Sequence, residues 1–203
     1  MKENASILFE GHVLVKDQDG NVLVDKKNAI HKRNMAIAIA RGLSNTDNHQ
    51  IFKIKLGNQG TYIDGSQQII FRQTNVNSDT ATLYNSTYEE VVDDQSSGVE
   101  TGNSVTFTTI PGTSNTRVIV TATVSANQAI NNATDLGNGP NGPGQIGDES
   151  YDLDPYFFDE LGLFTPGATE ADELMLSHLI FSPIEHTGNR ELTIIYSITV
   201  SVA

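Results

Sequence analysis

Residues 157–202 read FFDELGLFTPGATEADELMLSHLIFSPIEHTGNRELTIIYSITVSV, and this stretch decides the fold class of the chain. Two apolar runs, 174–184 and 192–202, flank a polar segment at 185–191, which predicts two strands paired as neighbours. In the second run Leu192, Ile194, Tyr196, Ile198, Val200 and Val202 alternate with Thr193, Ile195, Ser197, Thr199 and Ser201. Successive side chains of a strand point to opposite faces, so this period predicts one buried face and one face made mostly of hydroxyls.

The same pattern recurs upstream. Residues 104–110 and 117–124 are rich in Val, Ile, Thr and Phe and are separated by the turn-forming PGTSN at 111–115, so they read as a second strand pair. Val13 and Val15 before Asp17-Gln18-Asp19-Gly20, and Val22, Leu23 and Val24 after it, predict a hairpin turning at Asp19-Gly20. The DxDG spacing resembles the start of a calcium loop, but Asn28 stands where such a loop needs its bidentate glutamate, so the turn reading is preferred. A further strand is expected at 51–56, broken by Gly57-Asn58-Gln59-Gly60. That GNQG matches no nucleotide fingerprint, and no helical pattern opens behind it.

One helix is predicted, over residues 31–43. Met35, Ile39 and Leu43 fall on one line, with Ala36 and Ala40 beside them and Ile37 around the side. A helix with so little polar circumference is expected between a sheet and a second body, such as a neighbouring subunit. His31, Lys32 and Arg33 make a basic, solvated first turn.

The expectation is therefore all-β: an antiparallel β-sandwich with one packed α-helix and long polar loops, a single domain over residues 1–203 with excursions at 61–104 and 125–155. The second excursion contains GNGPNGPGQIG and the acids Asp135, Asp148, Glu149, Asp152 and Asp154. Loops that long in a compact domain are functional or disordered, and a cluster of acids admits a calcium reading, although no ligand spacing supports it.

With 203 residues the chain can bury roughly 70% of its unfolded surface in one core. It has no cysteine, which excludes thiol nucleophiles, thiolate metal sites and disulfides. Its formal charge is −13, from 25 acidic against 12 basic residues, which repels a phosphate backbone and argues against nucleic-acid partners. No apolar run reaches the length of a membrane span, and the opening MKENASILFEG lacks the apolar core of an export signal, so no membrane partner is expected.

The groups that could do chemistry are scattered. His12, His31, His49, His178 and His186 form no HxH or HExxH pair, and no GxSxG turn occurs. Ser177 and His178 are neighbours in a strand, as are Asp159 and Glu160, and neighbours in a strand diverge. No catalytic set, metal site or cofactor is expected. Glu160 lies among Phe157, Phe158, Leu161, Leu163 and Phe164, where an unpaired carboxylate is costly; if buried, it should accept backbone amides or a basic partner and act as a structural pin.

Three motifs in order carry a resemblance: a helix start at Asn34-Met35-Ala36-Ile37-Ala38, the strand end Leu56-Gly57-Asn58-Gln59-Gly60 with the later Leu83-Tyr84-Asn85-Ser86-Thr87-Tyr88, and the block DELGLF at 159–164 followed by LSHLIFSPI and NRELTIIYSITV. In these the chain resembles a broad group of tailed-bacteriophage virion structural proteins of large marine and cyanobacterial phages. The resemblance implies a non-enzymatic subunit of the tail, neck, baseplate or fibre-attachment region, located in the virion after assembly in the host cytoplasm. Its partners would be other virion proteins and copies of itself in a symmetric ring or spike.

Interface residues are expected at Met35, Ile39, Tyr62 and the loop residues Gly139, Pro140, Asn141, Gly142 and Pro143, and structural roles at Glu160, Gly162 and Phe164. The alternative is a carbohydrate- or calcium-binding β-sandwich module on a fibre, in which Tyr62, Tyr84, Tyr88 and Tyr156 would sit in loops and stack on sugars.

Overall fold

The computed structural model describes residues 6–78, 80–92, 102–126 and 156–202, with the side chain of Tyr156 left aside. Its strands are β1 (Ile7–Asp17), β2 (Val22–Ile30), β3 (Lys53–Gly57), β4 (Thr61–Ile63), β5 (Ile69–Phe71), β6 (Ser86–Val91), β7 (Ser104–Thr109), β8 (Thr116–Val124), β9 (Tyr156–Phe164), β10 (Met175–His186) and β11 (Leu192–Val202), with the helix α1 (Lys32–Leu43). Nine strands form one antiparallel sheet in the order β6-β3-β9-β10-β2-β1-β11-β8-β7, and β4-β5 is a separate small hairpin. The class is all-β with one helix.

The sheet curls on itself, and β2 is the strand about which it turns. Residues Val22 to Asn28 pair with β1, whereas Ala29 and Ile30 pair with His178 and Ser177 of β10. The two halves thereby face one another across one core, in which Val13, Val120, Ile194 and Tyr196 meet Ile54, Leu161, Leu163 and Phe181. Asn103 ties the far ends together: its Nδ2 donates to Glu90 Oε1 of β6 (2.6 Å), and its Oδ1 accepts from Thr123 N of β8 (2.8 Å).

The burial of β11 follows its alternation, with Leu192, Ile194, Tyr196 and Ile198 inside. Its partner, however, is not β10. β11 lies between β1 and β8, while β10 lies between β9 and β2. The expected pairing is corrected because the segment after His186 carries the chain from one half of the curled sheet to the other. Apolar period reports which face is buried, not which strand lies alongside.

Three further expectations are corrected. Within the stretch 61–104, where a short apolar patch at 69–71 and a short strand or turn over 81–92 could be read from the sequence, lie the hairpin β4-β5 and the strand β6, which pairs with β3 at the sheet edge. Tyr88 lies in β6, 1% exposed, rather than in a loop. His31 is the buried N-cap of α1, its Nδ1 accepting from Asn34 N at 3.1 Å, while Lys32 and Arg33 are exposed. The core-facing stripe of α1 is Asn34, Met35 and Ala38, whereas Leu43 is 86% exposed. The helix is thus rolled by part of a turn from the line that hydrophobicity alone selects, since Asn34 is buried to give its amide to Met175 O.

The hairpin between β1 and β2 turns as expected. Asp17 Oδ1 accepts from Asp19 N and Asn21 N, an Asx-type closure that occupies this carboxylate with its own turn.

Candidate functional site

β3, β9 and the first half of β10 are buried on both faces. One face meets the core, and the other lies beneath residues 58–85, so this half of the sheet is the middle layer of three. Leu83 and Ala81 of the cover pack on Phe164 and Met175.

Two adjacent carboxylates of β9 fasten that cover, Asp159 at residues 60 and 61 and Glu160 at residues 84 and 85, where a register shift against β10 interrupts the simple alternation that would have set them on opposite faces. Asp159 accepts from Gly60 N (2.8 Å), Thr61 N (2.8 Å) and Thr61 Oγ1 (2.5 Å). Glu160 accepts from Tyr84 N (3.0 Å) and Asn85 N (2.8 Å), and its Oε2 lies 3.0 Å from His178 Nε2. Asn75 N donates to His178 Nδ1 at 2.8 Å, so Nδ1 is the bare nitrogen and Nε2 carries the proton given to Glu160. Glu160 and His178 are both fully buried. The nitrogens and oxygens of this pair hold one another and the backbone of residues 75, 84 and 85. Burial lifts the Asp159 carboxyl to about 6, against the pull of Thr61 and Gly60, with the neighbouring Glu160 charge adding to the rise.

The glycines around this pair are there for room. A Cβ on Gly57 would stand 2.3 Å from Asn85 O and 2.6 Å from Glu160 Oε1, and one on Gly162 would stand 2.8 Å from Ser177 O. In the GNQG sequence Gly57 therefore leaves room for the Glu160 carboxylate, and Gly60 N donates to Asp159. Phe164 belongs to the small cluster under the cover.

A second charged group lies on the same covered face. Lys53 Nζ lies 2.8 Å from Glu173 Oε1 and 3.0 Å from Glu89 Oε2. Lys55 Nζ lies 2.9 Å from Glu173 Oε2 and 3.2 Å from Glu170 Oε1, and 5.1 Å from the centre of the Phe164 ring. Burial works against the Lys53 charge, but Glu173 and Glu89 outweigh it and hold the ammonium above its ordinary value. In the sequence these lysines read only as the polar half of an alternating strand. No local signal marks their burial, which depends on β3 pairing with β9 and on Glu173 arriving from a distant segment.

Elsewhere burial pushes the His186 imidazole down to about 4, with the Ser125 backbone opposing, and drives the Tyr196 phenol upward. Tyr196 OH accepts from Asn28 Nδ2.

One open surface is apolar. A groove of about 650 Å³ runs beside α1, lined chiefly by Ile7, Leu8, Ile30, Ala36, Ile39 and Leu43. Ile7 and Leu8 are about half exposed, and Leu43 is 86% exposed. Of the residues expected at an interface, Ile39 lines this groove, Tyr62 is exposed on β4, and Met35 is corrected to a core residue, because it is 8% exposed and packs inward. Gly139, Pro140, Asn141, Gly142, Pro143 and the acids at 135–154 lie outside the described residues. Of the tyrosines expected in loops, Tyr62 and Tyr156 are corrected to strand residues of β4 and β9, while Tyr62 and Tyr84 flank the Arg72 guanidinium at 5.6 and 5.0 Å, and both are exposed.

Among the described residues, no group of three or more acidic or histidine side chains is placed to share a metal ion, and no helix is long and apolar enough to cross a membrane. Comparison with models of known protein families, with curated proteins and with solved structures finds no match.

Proposed function

We propose that the protein is a non-enzymatic structural subunit of a tailed-phage virion, working in the tail, neck or baseplate assembly. The observation that carries this reading is the apolar groove beside α1, which leaves Ile7, Leu8 and Leu43 in water on a chain of net charge −13. Contiguous apolar surface of this kind belongs to contacts between proteins, and in a repeated assembly the neighbour is a virion subunit. The buried carboxylates support the same reading, since Asp159, Glu160 and Glu173 fasten the layers of a rigid body rather than opening onto a cleft.

Mass spectrometry of purified particles tests it: the protein is expected at a fixed, symmetric copy number. Recovery solely as a free monomer in the host cytosol overturns it. Replacing Leu43→Lys together with the exposed groove residue Ala36→Lys should leave a folded chain and abolish incorporation.

The second reading is a carbohydrate-binding module on a fibre, favoured by the exposed Tyr62–Arg72–Tyr84 stack. A saturable shift on a glycan array, lost in Tyr62→Ala, would support it over the first.

A further inference from the structure

The nine-stranded sheet has two edges, β6 and β7, and they are protected very differently. β6 carries Glu89 and Glu90, and Asn103 Nδ2 donates to its Val91 O. β7 reads SVTFTT, and residues 104–116 contain no charged side chain, in a chain with 25 acidic residues. Its pairing with β8 runs from Ser104↔Thr121 to Thr109↔Thr116 without a bulge. Thr106 to Thr109 are exposed in succession. Edge strands left bare are templates for another strand, and proteins that stay alone guard them with lysine, proline, bulges or charge. Among the described residues none of these guards is present on β7.

Phe107 sharpens the point. It pairs with Val118 and lies on the same face as Val105, which pairs with the fully buried Val120. Phe107 therefore continues the core face of the sheet past the end of the core, and it is 77% exposed.

We propose that β7 is a homotypic edge: two copies of this chain pair antiparallel through β7 about a two-fold axis perpendicular to the sheet, in a register centred on Phe107. In that register Phe107 faces its own counterpart, Val105 stands opposite Thr109, and Thr106 stands opposite Thr108, so both strands satisfy each other's outward backbone groups. The occupant is a second copy because the edge is neutral and self-complementary. Two molecules of charge −13 repel over most of their surfaces, and this uncharged strand is where they can approach. The nearest charge in register, Arg117 opposite Thr108, is turned to Thr199 Oγ1 at 3.4 Å. The inference does not depend on the virion reading, since it concerns the purified chain.

The test uses the full-length chain. Light scattering after size exclusion should give twice the chain mass of 22.0 kDa for the wild type and the single mass for Phe107→Lys at equal loading, with unchanged circular dichroism. Because the chain has no cysteine, Phe107→Cys is a single-thiol probe. Copper–phenanthroline should convert it to a disulfide-linked dimer several-fold faster than the control Val22→Cys, a difference larger than their exposures of 77% and 55% account for. A wild type that stays at the single mass, a Phe107→Lys variant as dimeric as the wild type, or equal cross-linking at the two cysteines each overturns the proposal. A monomeric wild type does so whichever other protein proves to cover the edge.

Discussion

Glu160 brings a carboxylate to a fully buried position, and Tyr84 N, Asn85 N and His178 Nε2 supply what water would have supplied. Glu160→Gln keeps the shape but replaces one acceptor by a donor. Placed at Oε1 the new amide faces Asn85 N; placed at Oε2 it faces Tyr84 N and the proton on His178, whose other nitrogen Asn75 already holds. Either way a buried donor is left without an acceptor, so the urea midpoint should fall by the equivalent of about 2–3 kcal/mol. The exposed Glu10→Gln should cost nothing measurable. Asp159 and His186 make a pair of opposed pH dependences. The Asp159 carboxyl is raised from 3.8 to about 6, so its contribution to stability is full below pH 3.8 and is lost as pH rises through 6. The His186 imidazole is lowered from 6.5 to about 4, so its contribution is full above pH 6.5 and is lost as pH falls through 4. Between these limits the two slopes have opposite sign. Asp159→Asn should therefore make stability climb with pH more steeply than in the wild type across this window, and His186→Leu should make it climb less. Urea titrations at half-unit steps measure both, and equal slopes in all three proteins would refute the assignment.

At the level of elements, the lysines of β3 show what a period of two conceals. Alternation in Lys53-Ile54-Lys55-Leu56 was legible and suggests a half-exposed strand, yet all five residues of β3 are buried, because residues 58–85 and 165–174 lie over the lysine face. Burial of that face depends on chain brought from elsewhere, and no local pattern encodes it. Glu173 is the group that makes it tolerable, being 5% exposed and shared by both ammonium groups. Glu173→Gln leaves two buried cations with partners only at the surface and should cost roughly 3 kcal/mol in chemical denaturation. Glu170→Gln, on a side chain 80% exposed, should cost under about 1 kcal/mol. Similar losses in the two variants would mean the lysines are not desolvated. The same limit explains the misassigned partner of β11. Its buried face was readable from Leu192, Ile194, Tyr196 and Ile198, but its neighbours β1 and β8 lie far away in sequence, and apolar residues pack equally well beside any strand that offers a matching face. The pin at Glu160, by contrast, was readable because a carboxylate among five apolar neighbours demands donors whatever the topology.

For the whole molecule, the class followed from summed local signals, whereas the curl followed from pairings between distant segments. β1 and β11 pair along their full length, from Ile7↔Val202 to Asp17↔Leu192, so the first and last described strands must meet before the core can close. Folding dominated by such non-local pairing is slow, and relaxation in the range of milliseconds to seconds is expected. Position in the sheet also makes β11 indispensable. It joins β1 to β8, and through β8 to β7, so its loss would detach two strands and strip the core of Leu192, Ile194, Tyr196 and Ile198. Each of those side chains contributes about 1.5–3 kcal/mol by burial, a sum comparable to the whole stability of a domain. A chain ending at residue 191 should therefore show no cooperative melting transition. A loop insertion of a few glycines between Asp64 and Gln68, at the tip of the β4-β5 hairpin outside the main sheet, should melt within a few degrees of the wild type. Cooperative melting of the truncated chain would show that the half of the sheet containing β9 and β10 is stable without its counterpart, and that the curl joins two independently folding bodies rather than closing one.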